Sequence, residues 1–72
     1  MPTFREAMDA LCLTATDAAE LFGLGVQSIR QMRLETGRPS YRTPPEDWRE
    51  VFAQVARQRA AELERLAERL ES

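Results

Sequence analysis

Residues 13–33 read LTATDAAELFGLGVQSIRQMR, and their spacing decides the fold. Thr14 stands just before a helical pattern, and Asp17 follows three residues later. In such a capping box the hydroxyl accepts an orphan N–H of the first turn, and the acid reaches back to the threonine's own N–H. Aspartate is shorter than the usual glutamate, so a weaker cap is expected. The pattern predicts a helix from about Ala15 to Phe22, with Ala18, Leu21 and Phe22 inward. Gly23 ends it, because glycine takes a positive φ without steric cost. A following helix is predicted from near Gly25 to about Leu34, with Val26, Ile29 and Met32/Arg33 as its periodic positions. Gly37 sits where its stop belongs. The pair has helix-turn-helix spacing. Ala19 is the small residue midway along the first helix that lets the second cross close by. Gly23 makes the turn four residues on. Ala18, Phe22 and Leu24 are the flanking apolar positions, and Ile29 and Met32 pin the second helix. No proline interrupts residues 15–38.

Outward from this stretch, two more threonines precede helical patterns. Thr3 with Glu6 predicts a helix from Phe4 to Cys12, with Phe4, Met8, Leu11 and Cys12 on one face. Cys12 reads there as a small buried apolar residue. Residues 38–42 form a loop, since Pro39 forbids helix continuation. Thr43 with Glu46, and Pro44 at the first helical position, predict a last helix from Pro44 to Glu71, about 40 Å long. Trp48, Val51, Phe52 and Val55 form its packing stripe. The expected fold is therefore all-α: a three-helix helix-turn-helix body over residues 1–42, then one long C-terminal helix over 43–72 that packs on the body and dimerises.

Composition narrows the function. Seventy-two residues make one small domain with a modest core. One cysteine and no histidine leave no disulfide, no plausible metal site and no cofactor site. No enzyme is expected: Ser28 and Ser40 lack a base partner, and the acids are scattered over caps and helix faces. No segment reads as a signal peptide or membrane span, so the expected place is the cytoplasm, at the nucleoid. All ten basic residues are arginine, and with abundant alanine this suggests a GC-rich bacterial or phage source. The net charge is −2, but it is unevenly spread. Residues 25–59 hold seven arginines against four acids, while both flanks are net acidic. A local basic patch is what phosphate binding needs.

The stretch from Phe4 to Leu34 resembles the Cro/phage-repressor-like (XRE) helix-turn-helix family, in which a first helix precedes a threonine-capped second helix and a recognition helix. It departs from the usual pattern in carrying a second turn glycine, Gly25, in having Leu24 after Gly23, and in replacing the later helices by one long one. The resemblance implies a DNA-binding regulator whose recognition helix presents Gly25, Val26, Gln27, Arg30, Gln31 and Arg33. Arginine bonds guanine bidentately and glutamine bonds adenine. Gln27, Arg30 and Gln31 share one face at i, i+3 and i+4. Arg33, Arg38 and Arg42 are better placed for phosphates, which orient without specifying. Tyr41 is either a phosphate donor or a loop anchor. The N–H groups from Thr14 to Thr16 also suit a phosphate.

The last helix continues past its packing stripe. Phe52, Ala56, Arg59, Leu63, Leu66 and Leu70 follow alternating steps of four and three, with a breach at Arg59. Arg59, Leu63, Leu66 and Leu70 are the expected dimer interface, with Arg59 snorkelling or meeting the partner's Glu62. The expected partners are double-stranded DNA, read as an inverted repeat, and a second copy of the chain. No membrane and no small-molecule ligand is expected. Two alternatives stand. A helical protein-interaction module, with a phage or polymerase partner, is favoured by the negative net charge. A MerR- or excisionase-like DNA-binding module would use GRPSYR, residues 37–42, as a remnant wing, and a strand pair between Gly37 and Thr43 would decide for it.

Overall fold

The computed structural model describes residues 2–72. It contains four helices: α1 Phe4–Ala10, α2 Ala15–Phe22, α3 Val26–Met32 and α4 Trp48–Glu71. No strand occurs among the described residues, so the fold is all-α. Phe4, Met8, Leu13, Ala18, Ala19, Ile29, Met32 and Phe52 form one buried cluster drawn from all four helices and the α1–α2 turn. The molecule measures 53 × 24 × 17 Å, and its length is that of a small body with α4 projecting from it.

The α2 pattern forms as the capping chemistry dictates. The Thr14 hydroxyl accepts from the Asp17 N–H at 3.1 Å, and Asp17 accepts from the Thr14 N–H at 3.0 Å. The shorter acid thus closes the whole box, where a weaker cap was expected. At Thr3 only half of it forms. The hydroxyl accepts from the Glu6 N–H, but Glu6 takes the hydroxyl proton and leaves the Thr3 N–H alone. At the far end of α2, Gly23 adopts φ 65°, and the Leu24 N–H returns to the Ala19 carbonyl at 3.0 Å.

The end of α1 repeats this turn without a glycine. Leu13 N–H bonds the Met8 carbonyl at 3.0 Å and Cys12 N–H bonds the Asp9 carbonyl at 3.1 Å, the pair of bonds that defines a Schellman motif. Met8 and Leu13 are both buried and supply its apolar contact. Cys12 occupies the left-handed position at φ 55° and is exposed. The helix therefore stops at Ala10 rather than Cys12, and Cys12 is not a core residue. Leu21 is likewise exposed, while Ala19 is buried in its stead. At α2 the inward face is centred on Ala18 and Ala19, where α3 crosses.

α3 is shorter than its periodicity suggests and gives way at Arg33. α4 begins at Trp48, four residues after the expected Pro44. The cause is Pro45: a proline disfavours the α conformation of the residue before it, so Pro44 cannot be the first helical residue. Residues 45–48 instead form a turn closed by Trp48 N–H to the Pro45 carbonyl at 3.1 Å. The Thr43–Glu46 box does not form, and Asp47 precedes the helix without a side-chain cap.

α4 is fastened to the body by rings. Phe4 lies 5.2 Å from Phe52 and 5.5 Å from Trp48, and Phe22 lies 5.5 Å from Phe52, all between ring centroids. Two turns further on, the Arg59 guanidinium donates to the Leu11 carbonyl at the end of α1. A cation here satisfies one of the carbonyls a helix terminus leaves open. Arg59, expected to snorkel or meet the partner's Glu62, thus has a bond within its own chain.

Because a non-glycine residue in the left-handed region costs about 1–2 kcal/mol, and glycine there loses part of that gain to chain entropy, Cys12→Gly is expected to stabilise the protein by about 0.5–1 kcal/mol. Chemical denaturation followed by circular dichroism checks it, and an unchanged or lower midpoint would show that the Cys12 turn carries no such cost.

Candidate nucleic-acid interface

The candidate site is built on α3, so its orientation follows from how α3 is held. Ile29 and Met32 are buried in the cluster with Ala18 and Ala19, and Val26 packs against its edge. With one side of a seven-residue helix committed to the core, the opposite side is fixed. Gln27 and Arg30 are exposed there and Gln31 is half-exposed. Three side chains able to bond base edges thus share one solvent-facing surface, as their spacing predicts.

The loop after α3 is tied back to the same helix. The Arg42 N–H bonds the Gln31 carbonyl at 3.3 Å, and the Arg42 guanidinium donates to the Ser28 hydroxyl at 2.7 Å. Arg42 therefore lies against the flank of α3 that carries Ser28 and Gln31. Arg38 is exposed earlier in this loop, where the Tyr41 N–H bonds its carbonyl at 3.0 Å. Tyr41 is half-buried and lines a cleft with Met32, Pro44 and Trp48, which is the position of a loop anchor.

Not every candidate residue joins this surface. Arg33 turns back to α1, where it pairs with Asp9 at 2.8 Å. Val26 faces the core edge rather than solvent. Gly25 is exposed ahead of α3, whose first turn has no side-chain cap. The start of α2 is less open to phosphate than expected. The Thr14 and Asp17 N–H groups are used within the capping box, and a carboxylate stands among them. That carboxyl is held below its ordinary value, chiefly by the bond from the Thr14 backbone N–H and then by the Thr14 hydroxyl, with a smaller pull from Arg59. Elsewhere in the basic middle of the chain, Arg49 lies over the Trp48 ring at 4.8 Å and Arg59 is bonded to Leu11. Arg57 is exposed on α4, and Arg30, Arg38 and Arg42 are the exposed cations of α3 and the loop that follows it.

The arrangement can bond a planar, edge-on hydrogen-bonding partner from α3 and an anion from the loop beside it. Among the described residues no cluster of metal-ligating side chains occurs. No helix is long and apolar enough to cross a membrane. The chain was compared with protein-family models, curated proteins and solved structures, and none matches.

The Arg42–Ser28 bond is expected to hold the loop on α3. Ser28→Ala should raise amide hydrogen exchange at Arg42 severalfold while leaving that at Ile29 unchanged. Equal protection in both proteins would mean that the backbone bond to Gln31 suffices alone.

Proposed function

We propose that this protein is a sequence-specific DNA-binding regulator of the Cro/phage-repressor-like kind, acting as a homodimer on an inverted-repeat site. The observation that carries the reading is the α2–α3 pair. It is joined through left-handed Gly23, with Gln27, Arg30 and Gln31 on the one face of α3 that the core leaves open. α3 enters the major groove, where arginine and glutamine distinguish guanine and adenine by bidentate bonds. Arg38 and Arg42 contact phosphates and set the register. Arg33, paired with Asp9 of α1, braces the end of α3.

The homodimer is supported by the far half of α4. Leu63, Leu66 and Leu70 are 62, 50 and 76% exposed, with no apolar partner in their own chain. A single helix-turn-helix of this size reads one half-site, and a two-fold dimer reads two. The exposed leucines equally suit a helical protein-interaction module, and DNA binding separates the two. The wing that a MerR- or excisionase-like module would use has no counterpart, since residues 37–43 contain no strand.

Selection of bound sequences from a random duplex pool tests the reading, and an inverted repeat is the expected yield. On the selected site, Arg30→Ala should lose about 1–3 kcal/mol of affinity, and much less on random duplex. Arg38→Ala should weaken both alike and lower the salt slope by about one unit. No enrichment and no retardation at low salt would leave the protein-interaction module as the function.

A further inference from the structure

α4 has two unlike halves. Up to Arg59 it is attached to the body, and beyond Arg59 every residue is exposed. The attached half forms, together with α1, an apolar groove of about 360 Å³ whose walls include Ala7, Ala10, Leu11, Phe52, Ala53 and Ala56. The free half carries the ridge of Leu63, Leu66 and Leu70. One helix thus bears an unfilled apolar groove at one end and an unburied apolar ridge at the other.

We infer that two copies of this chain pack antiparallel along α4, each seating Leu63, Leu66 and Leu70 in the groove between α1 and α4 of the other. This rests on the reading of the protein as a homodimer and specifies its geometry. The register follows from the residue numbers. The pairs 56 and 63, 53 and 66, and 49 and 70 are all centred between Arg59 and Ala60. That point is also the middle of the helix Trp48–Glu71. A single two-fold axis there sets the three leucines opposite Ala56, Ala53 and Arg49 of the other chain, with α4 overlapping along its full length. At 100° per residue, all six positions lie on one side of α4.

Charge selects this direction over a parallel pair. Residues 48–59 hold Arg49, Arg57 and Arg59 against Glu50, a net +2. Residues 60–71 hold Arg65 and Arg69 against Glu62, Glu64, Glu68 and Glu71, a net −2. Antiparallel packing sets each basic half beside an acidic half, whereas parallel packing sets like beside like. On the flank next to the groove, Arg49 comes alongside the partner's Glu71 and Arg57 alongside the partner's Glu64. The helix-turn-helix bodies then stand toward opposite ends of the pair, their Phe52 attachment points about 23 Å apart along it.

Spin labels at Ser72→Cys, in a Cys12→Ser background, test the arrangement by dipolar spectroscopy of the full chain without DNA. Antiparallel packing places the two labels about 38 Å apart. A parallel pair, with helices about 8–10 Å apart, places them within about 20 Å, label arms included. The long distance is the expected result. The short one would overturn the seating while leaving a dimer, and no dipolar coupling would overturn seating and dimer together. DNA binding is read separately by gel retardation, so its failure is distinguishable from either. A second variant, Ala53→Arg, fills the groove outside the buried cluster. It should raise the dimer dissociation constant by more than about tenfold with helicity retained. A dimer of unchanged affinity would likewise overturn the seating.

Discussion

The contact between Phe52 and the rings of Phe4 and Phe22 is the constraint on which the shape of this protein depends. Phe52 is the only residue of α4 that is fully buried. Trp48 joins the same cluster half-exposed, 5.9 Å from Phe52 and 5.5 Å from Phe4. Tilted and edge-on ring pairs of this kind contribute about 0.5–1.5 kcal/mol each beyond the burial of their area. They join α1, α2 and α4 at one point, and the Arg59 bond to Leu11 sets the line along which α4 leaves it. A 24-residue helix is thereby held over half its length and free over the rest.

The same core sets what α3 can present. Small residues at Ala18 and Ala19 admit Ile29 and Met32 closely, and both ends of α2 are closed by hydrogen bonds within residues 14–24. α3 is uncapped and short, so its position is set by burial and by the Arg42 loop folded against it rather than by intrinsic helix stability. The polar face of α3 and the free half of α4 are thus oriented by one cluster of eight buried residues. A change in the angle between them has to pass through the Phe4–Phe52 contact.

Where local chemistry alone determines an element, the sequence was sufficient to read it. α2 was legible at both ends, because Thr14 with Asp17 and Gly23 are local signals. The exposed face of α3 was legible from the i, i+3, i+4 spacing of Gln27, Arg30 and Gln31. The end of α1 was not, because cysteine stands in the left-handed place where glycine would have marked the stop. The start of α4 was misread because the Thr43–Glu46 spacing is right for a cap while Pro45 forbids the conformation it needs. The intrachain partners of Arg33 and Arg59 were not legible, for a shared reason. Both are long cations whose partners, Asp9 and Leu11, lie 24 and 48 residues away, a distance that periodicity does not see. In both cases the partner is on α1 or at its end, so α1 serves as the counterpart for a cation just after α3 and for one on α4.

The central claim is that the outward face of α3 and the loop folded against it are the surface that meets DNA. Backbone amide chemical shifts, recorded on isotopically labelled protein titrated with its selected duplex, test this most directly. The largest changes are expected at residues 25–31 and 38–42. Small ones are expected at Asp9 and Arg33, and none beyond Ala60. Changes concentrated on the free half of α4, with α3 undisturbed, would contradict it.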